Sequence, residues 1–228
     1  MANTSTAKKT YVSPKGVFKF PNLTSPDYGT EKYPKENGEY NVTLVLPKEE
    51  AQKFLKTLKD EIETAKTKAE TAFGELSVAA RKKLKRDNPE FNDVGTPVYD
   101  KDTEEETGEV QFKFSTAASG KNKKGEKWTR KVPLFDAKGT PIKKIDSVWG
   151  GTVGKVSFGC SPYFVEGTGV GGLKLFLEAV QIIDLKQGSG GNAQSFGFGE
   201  EEGYEAEQPT FADETQDTED NEEAAEDF

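Results

Sequence analysis

Gly38-Glu-Tyr-Asn-Val-Thr-Leu-Val-Leu-Pro47 runs straight into Lys48 to Phe73, and the hydrophobic period changes at the junction. In the first stretch Tyr40, Val42, Leu44 and Leu46 alternate with Asn41 and Thr43, the two-residue period of a half-buried strand. In the second, Ala51, Phe54, Leu55, Leu58, Ile62, Ala65, Ala69 and Phe73 recur every three or four positions with Lys and Glu between them. That spacing predicts one long surface helix laying a single stripe on the core. Pro47 ahead of it, with Glu49 and Glu50 in its first turn, marks its start.

Outward from this junction the two-residue period prevails. Glu109 to Thr116 carries Val110, Phe112 and Phe114 on one face and Gln111, Lys113 and Ser115 on the other. Gly16 to Phe20, Lys127 to Phe135, Val153 to Val165 and Leu173 to Leu185 read as further strands. Pro21, Pro47, Gly108, Gly125, Gly139, Gly150-Gly151 and the Gly167 to Gly172 cluster punctuate them. A short helix is expected at Ser77 to Arg86, ended by Asn88-Pro89. About five or six strands with one inserted helix make the fold mainly β: an OB-fold-like antiparallel barrel, with a β-sandwich as the alternative. The expected divisions are a flexible N-terminus (1–13), the barrel domain (14–186), a Gly-rich linker (187–199) and a disordered acidic C-terminal tail (200–228).

Charge is split along the chain. Of 40 Asp and Glu, 14 fall in the last 29 residues, which contain no Lys or Arg; the remaining 26 face all 31 Lys and Arg, so the body is +5 in a chain of −9. A block of like charge repels itself and buries nothing, so the tail is expected to stay solvated. Treated as a coil, the roughly 42 residues after Lys186 span on the order of 35 Å, against a radius of gyration near 16 Å for a domain of this size. The tail is therefore expected to reach a cationic groove on its own body and to imitate a phosphate strand there until nucleic acid displaces it. Asp227-Phe228 adds a carboxylate and an aromatic anchor for a basic pocket on a partner protein.

Enzymatic readings fare badly. The chain has no histidine, which removes the commonest general base and every Ser-His or Cys-His pair. Asp100-Lys-Asp102-Thr-Glu104-Glu105-Glu106 begins like a calcium loop but has Glu105 where the turn glycine belongs, so a solvated acidic hairpin is expected. Gly167 to Gly172 matches G-x-G-x-x-G, yet the alternating Leu173 to Leu177 makes it a strand-joining turn rather than a dinucleotide site. No cofactor and no metal are expected. Cys160 is the only cysteine and reads as a buried, inert thiol. No run approaches the roughly 18 apolar residues of a membrane span, and a soluble intracellular protein is expected.

Basic and aromatic residues carry the functional reading. Lys121, Lys123, Lys124, Lys127, Arg130 and Lys131 lie within eleven residues around Trp128, with Glu126 the one acid among them. Lys113 and Lys155 project opposite Phe112, Phe114, Val156 and Phe158, and by parity Tyr163 shares the outward face of Lys155 unless Pro162 introduces a bulge. Rings on a lysine-bearing face suit unpaired bases, because every base offers a π surface and phosphates need cations. Phe18, Phe20, Phe54, Phe112, Phe114 and Phe158 are assigned to packing, and Tyr163 leads Tyr28, Tyr33, Trp128, Trp149 and Phe164 as a base contact. Single-stranded DNA binding is thus the first reading; an acidic-tailed adaptor or DNA-mimic inhibitor is the second and a Mg²⁺ nuclease the third.

The chain also resembles the single-stranded DNA-binding proteins of short-tailed bacteriophages. The resemblance spans nearly its whole length and rests on the order of Pro26-Asp-Tyr-Gly29, the 38–47 strand, the inserted helix, Phe112-Lys-Phe114, Asp136-Ala-Lys-Gly139, Gly150-Gly151 with Lys155, Ser161-Pro-Tyr163, Leu173 to Glu178 and the acidic end in Phe228. It implies an OB-fold core, work with a phage DNA polymerase and primase-helicase in replication, recombination and repair, and a location in the cytoplasm of an infected bacterial cell. It further implies that Tyr163 and Lys113 face DNA, that the tail ending in Phe228 both contacts replication proteins and competes with DNA, and that the protein is a homodimer. Phe164-Val165 departs from the family, in which a tryptophan can follow the tyrosine, and this leaves a second stacking partner unassigned.

Overall fold

The computed structural model describes residues 9–186, which lie in the first of two units, Met1–Gly188 and Ser189–Phe228. Residues 1–8, the expected linker and the expected acidic tail with Asp227 and Phe228 lie outside the described residues. In chain order the elements are β1 (Thr10–Val12), β2 (Gly16–Gly29), β3 (Pro34–Pro47), α1 (Lys48–Thr57), α2 (Lys59–Glu75) and α3 (Val78–Leu84). There follow β4 (Glu90–Phe91), β5 (Thr96–Tyr99), β6 (Glu106–Ala117), β7 (Ser119–Lys121), β8 (Lys127–Thr129), β9 (Leu134–Phe135), β10 (Val153–Val165) and β11 (Val170–Asp184).

Five long strands close a barrel in the order β2, β3, β6, β11, β10 and back to β2. A ring with an odd number of strands cannot alternate direction all the way round. One pair must be parallel, and it is β6–β11, with Leu175 beside Phe114; the other four pairs are antiparallel as expected. The closing seam between β10 and β2 is two residue pairs long, Val153 with Val17 and Gly154 with Gly16. A Cβ on Gly154 would sit 2.4 Å from the Gln181 carbonyl oxygen and 2.5 Å from the Phe18 ring, so only glycine permits the strands to meet there.

Inward positions of the five strands supply the core. Phe18, Leu44, Leu46, Phe112, Phe114, Val156, Phe158 and Leu177 are fully buried. α1 adds Phe54, whose ring lies edge-on to Phe112 at 5.0 Å and to Phe158 at 5.7 Å. α2 sets Ala65, Ala69 and Phe73 inward and packs on β10 and β11. The single helix expected over Lys48 to Phe73 is two helices. The break is at buried Leu58, where φ is −98°, ψ is 3° and the N–H bonds back to the Leu55 carbonyl at 3.1 Å. A straight rod touches a curved barrel over a short length, and the bend lets both halves lay their stripes on it.

Other expectations change at boundaries. Thr10–Val12, inside the expected flexible N-terminus, pairs with β10. The expected strand Lys127 to Phe135 is two short ones, β8 and β9, separated at Arg130–Pro133. Pro21 does not end β2; instead Phe20 adopts φ +49° within a register irregularity, and the strand continues to Gly29. Phe20, assigned to packing, is 74% exposed. The β10–β11 ladder runs unbroken through Pro162, and its two irregularities fall at Val153/Gly154 and Ser157/Phe158 instead. Cys160 is half-buried rather than buried. The expected short helix is present as α3, with the Ser77 hydroxyl accepting from Ala80 N at 3.2 Å, but it ends at Leu84, where Lys85 turns left-handed at φ 52°, before Asn88-Pro89 is reached; Gly167–Gly169 lie in the β10–β11 turn as expected.

Candidate nucleic-acid interface

The outer face of β2, β3, β6 and β11 alternates against the core, and its register lines cations into a row. Lys19 pairs with Thr43, and Thr43 with Lys113. Lys113 and Lys174 each precede by one residue the adjacent Phe114 and Leu175, so Lys174 continues the row on β11. One step along the strands, Asn22, Asn41, Ser115 and Phe176 form a second row, with Asn22 Nδ2 donating to Asn41 Oδ1 at 3.3 Å. The Lys174 ammonium stands 5.0 Å from the Phe176 ring centroid. Charge, amide and ring together suit a phosphodiester chain that also presents bases.

Tyr163 lies at the lower edge of this face, across β11. It is paired with Gly172, and a Cβ at Gly172 would lie 2.4 Å from its hydroxyl oxygen, so the ring rests flat over the glycine. Asn92 Nδ2 donates to the Tyr163 hydroxyl at 2.8 Å. The ring is held, yet 36% of the residue is exposed. Its neighbour Phe164 points the other way, edge-on to Phe73 at 6.4 Å, and is committed to packing α2.

Above the face, β7 and β8 form a separate two-stranded hairpin. Its ladder sets Lys121 directly opposite Lys127. Like charges in that position repel, and an anion between them would relieve the repulsion. Lys123 and Lys124 lie in the exposed connecting loop, where the Asn122 side chain accepts from Lys124 N and Glu126 N at 2.9 Å each. Trp128 is 37% exposed, with the Arg130 guanidinium 5.6 Å from its ring centroid. Arg130 Nη1 also donates to the buried Thr116 hydroxyl at 2.7 Å, which ties the hairpin to the end of β6. Lys131 is exposed beyond it.

One acidic pair sits on this cationic surface. Lys35 Nζ bridges Asp27 at 2.6 Å and Glu39 at 2.8 Å. A hydrogen bond from Lys35 holds the Asp27 carboxyl below its ordinary value, with the Gly29 N–H and the Lys113 charge adding to it. Burial pushes Glu39 up, but hydrogen bonds from Lys35 and Ser115 and the charges of Lys35 and Lys113 outweigh it, so Glu39 too is held low. Both carboxylates therefore hold their charge to lower pH than free carboxylates would, and both take part of the Lys113 field.

The structure thus gathers Lys113 and Tyr163 on one face and Lys121, Lys123, Lys124, Lys127, Trp128, Arg130 and Lys131 around one hairpin. Lys155 stands apart. It shares the outward parity of Tyr163, but eight residues of strand separate them by about 26 Å, and Lys155 borders a cleft with Val12, Gly139 and Gln181. Lys19 and Lys174 were missed, although both alternate with core residues; parity applied to their strands flags them. Asn92 had no such signal, because only the parallel β4–β11 contact brings it near Tyr163. The Asp100 segment is the β5–β6 hairpin loop, with Asp100 Oδ1 accepting from Asp102 N and Thr103 N at 2.9 and 3.0 Å. No helix among the described residues is long and apolar enough to cross a membrane.

Residues 16–185 match the family model described as single-stranded DNA-binding protein, bacteriophage T7. The single-stranded DNA-binding protein of Enterobacteria phage T3 is 30% identical over 204 residues, which cover 86% of this chain and 84% of that protein. That of Escherichia phage T7 is 30% identical over 210 residues, covering 88% and 86%. The crystal structure of gp2.5, a single-stranded DNA-binding protein encoded by bacteriophage T7, superposes with a TM-score of 0.58 at 26% identity, over 88% of this chain and all of that one. A family match that begins at the first barrel strand and ends with the last is a match to the whole barrel, and by it the chain belongs to the bacteriophage T7 single-stranded DNA-binding protein family.

Proposed function

We propose that this protein is a non-enzymatic coat for single-stranded DNA, binding it with little sequence preference during phage DNA replication, recombination and repair. The observation that carries the reading is the lysine row Lys19, Lys113 and Lys174 laid across four strands of a barrel whose family is named for this activity. The strand crosses the outer sheet face, with phosphates on the row and on the Lys121–Lys131 hairpin and a base on Tyr163. Readout is by stacking and charge, which every sequence satisfies equally. Residues 14–186 form the DNA-binding domain, 187–199 a linker, and 200–228 an acidic arm. The arm occupies the cationic face until DNA displaces it, and with Asp227 and Phe228 it recruits the phage polymerase and primase-helicase. Support for the arm's role is its charge: 14 acids and no base in 29 residues, joined to a body of +5.

Titrating a labelled oligonucleotide into the full chain and into a chain ending at Gly199 tests this reading. The shortened chain binds more tightly, and for each phosphate contacted the log affinity falls against log salt with a slope of about −0.7. Equal affinities for the two chains would refute competition by the arm, and absence of binding by both would refute the function.

Glu39→Gln gives a second result. The amide still accepts the Lys35 hydrogen bond, but one negative charge leaves the surface and Lys113 is freed for phosphate. Affinity rises and the salt slope steepens by about 0.7. The same titration measures both, and a weakened affinity would place Glu39 among the DNA contacts.

A further inference from the structure

The outer face continues past Lys19 into a cleft of about 510 Å³ between β2 and the loop ahead of β10. Lys19, Phe20 and Asn22 line one side and Ser147 and Trp149 the other. Phe20 is 74% and Trp149 53% exposed, and among the described residues neither ring stands in a ring–ring or cation–ring pair. Phe20 is also at φ +49°, a left-handed conformation that is strained for a bulky residue and persists only where the surroundings impose it. Its effect is to turn an aromatic ring out of a strand whose inward neighbour, Phe18, is fully buried.

The opposite wall is built in. Gly151 N donates to the Phe18 carbonyl and Phe18 N to the Thr152 carbonyl, at 2.9 and 2.8 Å, which fastens the loop to β2. Trp149 N donates to the Lys186 carbonyl at 3.1 Å, and its ring Nε1 to Ser147 Oγ at 2.6 Å. Two exposed rings on fixed backbone, with amide and hydroxyl groups between them, suit a flat polar aromatic guest.

We infer that the Phe20–Trp149 cleft is a second base-stacking site, which takes an unpaired nucleobase of the same DNA strand that crosses the lysine row. The inference rests on the proposed DNA binding. Continuity supports this occupant: Lys19 belongs both to the cleft and to the row, and Asn22 of the cleft is bonded to Asn41 of the adjacent row. From β2 to β11 is three strand spacings, about 14 Å, or roughly four stacked nucleotides at 3.4 Å each. Tyr163 and the cleft therefore hold different bases, and one strand must span both.

The test uses the full chain and an oligothymidylate of about fifteen nucleotides, near the upper site size of a single OB barrel. Phe20→Asn removes the ring while keeping a residue that tolerates the left-handed turn. It weakens binding by roughly 5- to 140-fold with no fall in melting temperature. Trp128→Phe leaves Trp149 as the sole tryptophan, and its emission is quenched as the oligonucleotide binds. Unchanged affinity in Phe20→Asn, or unquenched Trp149 emission in a Trp128→Phe chain shown by anisotropy to be saturated with the oligonucleotide, while the unsubstituted chain binds and Tyr163→Ala weakens it, overturns the cleft and leaves the broader function standing. No binding by the unsubstituted chain overturns both.

Discussion

Phe158→Ala is expected to lower the unfolding free energy by about 3–5 kcal/mol, the cost of deleting a fully buried aromatic ring and leaving a cavity. Phe158 is where the parts of the fold meet. Its ring lies 5.0 Å from Phe114 on β6, 5.7 Å from Phe54 on α1 and 5.6 Å from Tyr11 on β1, and it has no exposure. Three elements distant in sequence converge on a side chain of a fourth, so relaxation around the cavity would have to move several of them together. A domain typically holds 5–15 kcal/mol in reserve, and this substitution removes a large share of it. Urea unfolding followed by circular dichroism measures the change. A loss under about 1 kcal/mol would mean that the core is not organised around this residue.

Tyr163→Ala is expected to weaken binding by as much as loss of any one stacking ring. Each base stacked on an aromatic contributes about 1–3 kcal/mol by alanine substitution, whereas a single exposed ion pair contributes roughly 0–1 kcal/mol. Loss of the ring therefore weakens single-stranded DNA binding more than loss of any one hairpin lysine does. Stability changes little, because the ring rests over Gly172 on the outer face and its one side-chain bond, from Asn92, is at an exposed site. Fluorescence anisotropy with a labelled oligonucleotide, alongside a melting curve, separates the two effects. A variant that unfolds would assign Tyr163 to structure, and one that binds as before would remove it from the interface.

The two substitutions differ in how visible their residues are in the sequence. Phe158 sits in an alternating run with Val156, so its burial is legible from parity, as it is for Phe112 and Phe114. Tyr163 has outward parity too, but nothing local tells that it belongs with Lys113 rather than Lys155. Parity names a face of one strand, and a barrel strand of 13 residues winds its face through several directions. Phe20 is the sharper case. Its alternation with Phe18 predicts burial, and the left-handed residue that overrules the alternation has no glycine to announce it. The second aromatic left unassigned beside Tyr163 is thus proposed on a different strand.

What the sequence determined by itself was local and periodic: strands and a helical insert in their order, the outward lysines, the acid-rich end and the exclusion of histidine chemistry. These follow from each residue's own type and its neighbours at two, three or four positions. What only the tertiary structure decided was adjacency: the parallel β6–β11 contact that carries Lys113 on to Lys174, the bend at Leu58, the Asn92 bond to Tyr163, and the cleft between Phe20 and Trp149. Each joins residues far apart in the chain through barrel closure, and closure is a property of five strands at once that no window of sequence contains.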